Sequence, residues 1–231
     1  MWSGIFRFIL IGGIKMSRRI KVTGRAKANC PPDKITVSLT LEAADKDYQK
    51  TLDIAAEKLE SLQRAAAAAG FEKGELKTSS FNVTDEYDYV QTETGGNKRQ
   101  FIGYKCSHRL KLEFDMDMER LGKALAALSG CEANSEFHVS FGVKDIDTLK
   151  KQLLAQAVKD AAEKAEILAQ AAGVKLKEIA FMTCGDIDDN IVSPTVFNQP
   201  VVASALRSVS VDMAPEDIEA EVSVNVEWEI E

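Results

Sequence analysis

The chain has 231 residues and a mass of 25.3 kDa, with 45% apolar and 28% charged residues. This is the composition of a globular protein with a sizeable core, and it excludes a disordered chain and a disulfide-stapled miniprotein. The net charge of −7 would repel nucleic acid and anionic membranes. Because the four cysteines match no zinc framework and are too few for a disulfide scaffold, we expect separate reduced thiols.

Residues 1–15 differ in character from the rest of the chain. Trp2–Ile14 is largely apolar but shorter than the roughly 20 residues that span a bilayer. The segment is similar to the apolar region of a signal peptide, yet no small-residue cleavage site follows it. Gly12–Met16 can be encoded by a bacterial ribosome-binding site, a spacer and a start codon. We therefore expect a translated leader, Met16 as the true start and a cytoplasmic protein. The alternative is a periplasmic or membrane-anchored protein held through residues 1–15.

Apolar periodicity from residue 19 onward predicts alternating strands and helices. Asp45 or Asp47 is expected to cap the first helix, and Gly70 and Gly173 are expected to follow the first and last helices. The predicted elements, in chain order, are a short strand 20–22 closed by Gly24, a strand 34–41, a helix from the cap at 45 or 47 to Gly70, strands 76–90 and 100–114, a helix ending at Gly130, a strand 137–143, a helix 148–172, a strand 175–183, a loop 185–206 and a strand 218–230.

From residue 34 the predicted order is β-α-β-β-α-β followed by α-β-β, and the first six elements match a ferredoxin-like order. Hairpins and clean alternation indicate an α+β fold, a mainly antiparallel sheet with helices packed on one face. We expect a single domain over residues 16–231, since no linker or shift in composition interrupts them. The loop around Pro194 is long for a compact domain, and loops of that length are usually functional or disordered.

No pattern in the chain predicts a catalytic or metal site. We expect His108 to be partly buried and His138 to be solvated, each within a strand. Phosphate-binding, dinucleotide-binding and nucleophile-elbow motifs are absent from the sequence. Residues 186–190 imitate the start of a calcium loop, but Ile191 and Phe197 stand where that loop needs Gly and Glu, which favours a solvated acidic loop. We therefore predict a protein that is not an enzyme, with no catalytic residue, cofactor, metal, nucleic acid or small-molecule substrate.

The long predicted hairpin carries a group of aromatic side chains. Basic neighbours would suit a stacking platform for single-stranded nucleic acid, but acidic residues on the same arm cancel their field, which favours packing in a core or an interface. Exposed aromatic residues need a cover, and a second copy of the chain is the simplest one. We therefore expect a homo-oligomer. The alternative is a module for a protein or peptide partner that uses the hairpin and the loop 188–206. The candidate interface residues are Tyr87, Tyr89, Phe101, Tyr104, Val196 and Phe197.

Short motifs in a fixed order make residues 20–231 resemble the SIMPL-domain family, a domain of unknown function. The motifs are Val22-Thr23-Gly24, Pro32-Asp33, Gly70 followed by residues 76–79, Tyr87, Gly103-Tyr104 and, most specific, the helix 157–169 followed by Gly173-Val174. The family includes periplasmic immunogenic proteins, a bacterial protein of oxidative-stress defence and a ring-shaped homo-oligomer. The resemblance implies a self-assembling protein linked to oxidative or envelope stress, without catalytic residues. Bacterial relatives usually carry a cleavable signal peptide, from which this sequence departs.

Overall fold

The computed structural model describes residues 18–91, 97–131, 136–185, 191–199 and 214–231. These residues adopt an α+β fold with two antiparallel sheets, which confirms the predicted class, although one sheet was expected. They form two compact units: unit 1 contains residues 18–27, 147–185 and 221–231, and unit 2 contains residues 28–91, 97–131, 136–146, 191–199 and 214–220. The single domain expected over 16–231 stays a prediction. Within the described ranges, every helix is too short or too polar to cross a membrane.

Strands and helices alternate along most of the chain. The elements are β1 (Arg19–Cys30), β2 (Lys34–Asp45), α1 (Tyr48–Ala68), β3 (Leu76–Gln91), β4 (Asn97–Asp115), α2 (Met118–Ser129), β5 (Glu136–Gly142), α3 (Ile146–Ala172), β6 (Leu176–Cys184), β7 (Val192–Gln199) and β8 (Ile218–Ile230).

Unit 2 is built on a five-stranded sheet with the order β3-β4-β2-β5-β7, in which each strand is antiparallel to its neighbours. The alternate residues of β2 point to one face and are buried there. Val37, for example, pairs with Leu112 of β4 and Val139 of β5, and all three side chains have no exposed surface. Helix α1 packs on β2 and β4 and also against α2. The period-two pattern of the strands thus creates the apolar face that the helices cover.

The helices of unit 2 begin and end at residues that the sequence marks. Asp47 caps α1, since its carboxylate accepts a hydrogen bond of 3.0 Å from the Lys50 amide. Asp117 caps α2 in the same way, through the amide of Arg120 at 2.9 Å. Gly70 follows α1 with a φ of +89°, which an L side chain rarely adopts. The predicted stop at Gly70 is confirmed, and Asp47 is the cap rather than Asp45.

Unit 1 contains the sheet β1-β8-β6 together with α3. Helix α3 buries a stripe of small side chains that includes Ala157 and Ala161. Strand β1 approaches α3 so closely at Gly24 that an added Cβ would lie 2.6 Å from the Ala161 Cβ. The opposite face of the sheet is exposed to solvent and carries ion pairs between β1 and β8, such as Lys27 with Glu221 at 3.1 Å.

Two predictions about chain order are wrong. The short strand 20–22 does not close at Gly24, because β1 runs on to Cys30 and uses this glycine for its approach to α3. Residues 185–206 are not all loop, since β7 pairs with β5. Pro194 is tolerated there because β7 lies at the sheet edge, where an amide hydrogen is not needed on the outer side.

Candidate interaction site on the β3–β4 hairpin

The β3–β4 hairpin leaves part of its apolar face uncovered. The two strands pair from Leu76↔Leu112 to Gln91↔Asn97, which makes them the longest pair in unit 2. Helix α1 covers the core-side face of β2 and β4, whereas β3 forms the sheet edge beside it. Phe81 on this face of β3 is 53% exposed although its partner His108 is buried. An apolar surface therefore runs along β3 toward the end of the hairpin.

A bulge in β4 changes which residues face the core side. Ile102 is the extra residue, because Glu86 pairs with Gly103 and Tyr87 pairs with Phe101. Gly103 has a φ of +153°, and a Cβ there would lie 2.5 Å from the carbonyl oxygen of Asp45. Only glycine fits this position without strain. Phe101 consequently lies on the same face as Tyr104, although the two residues differ in parity.

Beyond the bulge the aromatic side chains form a continuous row. Tyr48, the first residue of α1, contacts Tyr104 with ring centroids 5.3 Å apart, and Tyr104 contacts Phe101 at 5.2 Å. Phe101 in turn contacts Tyr87 at 5.7 Å, and all three pairs meet edge to face. Such pairs contribute about 0.5–1.5 kcal/mol each, which stiffens the hairpin. We call Tyr48, Tyr87, Tyr89, Phe101 and Tyr104 the aromatic face.

Two opposite charges flank the aromatic face. The guanidinium of Arg99 lies 3.7 Å from the centroid of the Tyr87 ring, a cation–π contact. Asp85 pairs with Tyr104 in the strand register and is exposed on the same side of the sheet. Asp88 and Lys98 lie on the opposite face of the hairpin, since their positions differ from these by one residue. On this face Asp85 is therefore the acidic side chain toward Tyr104, and Arg99 is the basic side chain toward Tyr89.

The structure brings four of the six predicted interface residues together. Tyr87, Phe101 and Tyr104 are in contact, and Tyr89 lies opposite Arg99 in the register. The other two residues, Val196 and Phe197, lie in β7 at the far edge of the sheet, so their backbone is separated from the hairpin by β2 and β5. The described part of the loop 188–206 therefore does not extend the aromatic face.

Tyr48 belongs to the aromatic face but is not among the residues that the sequence predicts for it. It follows the Asp47 cap and half of its surface is exposed, at 49%. Its neighbour in space, Tyr104, is reached because Asp45 at the end of β2 pairs with Tyr104 in the register. The register between β2 and β4 is the signal that could have identified Tyr48, because the turn from β2 into α1 places Tyr48 close to the β4 residue opposite the end of β2.

The two histidines lie on opposite faces of the sheet. His108 is buried among core residues, its Nε2 is 2.8 Å from the Thr78 hydroxyl, and burial lowers the pKa of its imidazole. His138 is exposed and pairs with Ser38 on the outer face. Both predicted environments are confirmed, and His108 is more deeply buried than expected. The acidic residues 186–190 fall outside the described residues.

The remaining titratable groups do not gather into a reactive cluster in the described ranges. No three His, Cys, Asp or Glu side chains there are arranged to hold a metal ion. All four cysteines are free thiols, as predicted, and burial raises the pKa of the Cys106 thiol. Desolvation, with the carboxylates of Asp217 and Asp33, also raises the pKa of Cys30. Neither thiol is therefore activated as a nucleophile.

The described residues thus define an α+β protein with two compact units and an uncovered aromatic hairpin. The family model for SIMPL, proteins of unknown function (DUF541), matches residues 20–228, and the chain belongs to this family. The resemblance carried by the short motifs is thereby confirmed over nearly the whole chain. No curated protein matches the chain.

Proposed function

We propose that this SIMPL-family protein is not an enzyme and acts by association of its own copies through the aromatic face. The observation that carries the proposal is the row of edge-to-face contacts from Tyr48 to Tyr87, which extends an apolar surface past the cover of α1. Contiguous exposed aromatic groups of this kind usually mark an interface.

The size of the surface suits contact between two copies. Tyr48, Tyr87, Tyr89 and Phe101 are each between 39% and 68% exposed. A large aromatic side chain presents about 200 Å², so these four expose about 400 Å² per copy. This is about half of the roughly 800 Å² that each partner buries in an interface of standard size. Phe81, which is 53% exposed on the same face of β3, enlarges the surface further.

The charges at the two ends of the face favour a second copy over an unrelated partner. Asp85 precedes Tyr87 by two positions, about 7 Å, on β3, whereas Arg99 of β4 pairs with Tyr89 on the other side of Tyr87 and rests its guanidinium 3.7 Å from the Tyr87 ring centroid. A two-fold axis through Tyr87 would place Asp85 of one copy beside Arg99 of the other, twice in the same interface. Such self-complementarity is the requirement for a symmetric dimer contact.

The non-enzymatic part of the proposal is supported by the positions of the histidines. The protein has two, and the sheet places His108 on its core side and His138 on its outer side, so one site cannot use both within a copy. The link to oxidative or envelope stress is proposed on the family resemblance alone. A peptide-binding role of the aromatic face is the competing proposal, and the charge pattern described above favours self-association.

A charge-swap experiment tests the proposed contact. We expect Asp85→Arg and Arg99→Asp each to weaken self-association at least about tenfold at pH 7, because each places like charges together in the interface. The double variant restores the opposite pairs and should recover most of the affinity. The measurement is sedimentation velocity over a range of concentrations.

The matched controls are charged residues on the opposite face of the hairpin, at neighbouring positions along the same two strands. Asp88→Arg and Lys98→Asp make the same changes of charge there, and we expect them to leave association unchanged. A wild-type protein that stays monomeric at high concentration would refute the proposal and favour the peptide-binding role. Equal effects of the swaps on both faces would refute the assignment of the interface to the aromatic face.

A further inference from the structure

His108 lies toward the root of the β3–β4 hairpin, on strand β4, which α1 covers, and next to the edge strand β3. It is 5% exposed and lies between Cys106 and Leu110 on the core face of β4. Across the sheet it pairs with Leu41 of β2 on one side and with Phe81 of β3 on the other. The Phe81 ring meets the imidazole edge to face, with the centroids 5.1 Å apart.

Each element around His108 presents mainly apolar groups to it. From β2 the facing residues are Leu39, Leu41 and Ala43, none of which is charged. Thr78 of β3 makes a polar contact of 2.8 Å between its hydroxyl and Nε2. A hydroxyl both donates and accepts, so this contact tolerates either form of the imidazole.

The nearest titratable groups do not compensate a charge on His108. Burial keeps the Cys106 thiol neutral by raising its pKa, and the Tyr104 phenol lies one step further along the same face of β4. Asp85 of β3 is opposite Tyr104 rather than His108. From α1, the partly buried Lys58 directs its ammonium to the carbonyl oxygen of Glu42, and the other charged side chains of that helix are exposed.

The route by which water can reach a charged imidazole passes through β3. The β2 side is fully buried, whereas β3 is an edge strand and its Phe81 is half exposed. We propose that His108 makes the pairing of β3 with β4 sensitive to pH: its protonation releases strand β3 from β4 at the root of the hairpin and so disrupts the aromatic face. The expected loss of self-association at low pH rests on the function proposed above, whereas the release of β3 does not.

The size of the effect follows from linkage. In the open state the imidazole has its ordinary pKa of about 6.5, and in the closed state burial lowers that pKa. Acid therefore favours the open state, and the opening equilibrium of β3 rises as pH falls below 6.5 until the lowered pKa is reached. Between pH 7.0 and pH 5.0 the rise is at most about 25-fold, attained when the closed-state pKa lies well below 5.

Amide hydrogen exchange measures this opening directly. Exchange in β3 is followed at pH 7.0 and pH 5.0 with correction for the intrinsic rates, and amides of β2 and β5 serve as the reference. His108→Gln removes the titration, and His108→Leu is a second variant in case the amide is not accommodated. His138→Gln removes the second histidine of the chain, on the outer face, and is the matched control.

We expect opening of β3 to rise more than about fivefold in the wild type and in His138→Gln, and less than twofold in the His108 variants. An equal rise in the opening of β2, β3 and β5 would overturn the proposed role of His108, because it would mean global unfolding. A rise in β3 that persists in the His108 variants would also overturn it. Sedimentation at both pH values separates the two proposals. A wild type that is monomeric at pH 7.0 but releases β3 at pH 5.0 refutes the self-association alone. A dimer in which the opening of β3 does not change with pH refutes the proposed role of His108 alone.

Discussion

Gly24 and Gly122 provide a test of packing in which the same substitution has opposite effects. At Gly24, an added Cβ would overlap the carbonyl oxygen of Ala157, its nearest neighbour, and would lie 2.6 Å from the Cβ of Ala161. Ordinary contacts begin near 3.4 Å, so β1 and α3 would have to separate by more than about 0.8 Å. At Gly122, within α2, no heavy atom lies within 4 Å of an added Cβ. Gly24→Ala should therefore destabilise the protein, and Gly122→Ala should stabilise it.

The magnitudes follow from two terms. Overpacking of a tight contact costs about 1–3 kcal/mol, and both Ala157 and Ala161 beside Gly24 are fully buried, so the upper half of that range applies. Removing a glycine also lowers the entropy of the unfolded chain, which returns about 0.4–1 kcal/mol. We expect a net loss of about 2 kcal/mol for Gly24→Ala. For Gly122→Ala the helix propensity of alanine gives a gain of about 0.5–1 kcal/mol.

Urea denaturation measures both changes. Trp228 is buried in β8 of unit 1, so its fluorescence, recorded with Trp2 replaced by Phe in every variant, follows the unit in which Gly24 lies, while circular dichroism follows all the helices. The separation of the two variants should be about 3 kcal/mol in the free energy of unfolding. A Gly24→Ala protein as stable as the wild type would show that β1 and α3 are not in the close contact described.

Three further changes test individual contacts. Gly103→Ala should destabilise the protein by about 2–3 kcal/mol in urea denaturation, because a side chain at this φ is strained and meets the Asp45 carbonyl; equal stability would contradict the bulge. Asp47→Ala should cost about 1 kcal/mol through the lost α1 cap, seen as a lower denaturation midpoint, whereas no change would mean that the cap is redundant. Ser193→Ala should cost about 1–3 kcal/mol, because the buried hydroxyl donates to the Glu216 carbonyl at 2.7 Å; an unchanged melting temperature would contradict this.

Much of the fold could be predicted because the local pattern and the tertiary environment agree. Strand β8 has the predicted bounds, Ile218–Ile230, since its alternate apolar side chains from Ile218 to Trp228 are buried on one face. The ends of the helices were equally predictable. The Asp47 side chain caps α1, and Gly70 and Gly173, which have no side chain, adopt the positive φ that follows a helix.

The failures arise where a residue serves a distant neighbour. The local pattern predicts the end of a strand at Gly24, but the lack of a side chain there is required by α3, more than a hundred residues away. The same kind of pattern predicts a loop around Pro194, although an edge strand accepts proline. In both cases the local rule is sound, and the tertiary contact or the position in the sheet decides the outcome.

The candidate site was only partly visible in the sequence for a similar reason. Alternation alone places Phe101 and Tyr104 on opposite faces, and the bulge at Ile102 and Gly103 is what unites them. Assigning Tyr48 to the aromatic face required knowledge of the register between β2 and β4. Aromatic composition therefore indicated the hairpin, whereas the arrangement of the face depended on backbone geometry that a residue pattern does not contain.

The order of synthesis has a consequence for unit 1. Strand β1 is made before the other described strands, but its partner β8 is made after all of them, and β6 also waits for β8. The strands β2 to β5 of unit 2, in contrast, follow one another within residues 34–142 and can pair while synthesis continues. Nascent chains shorter than residue 218 therefore carry two strands whose backbone groups lack their central partner, and during that interval a chaperone or a neighbouring chain has access to them.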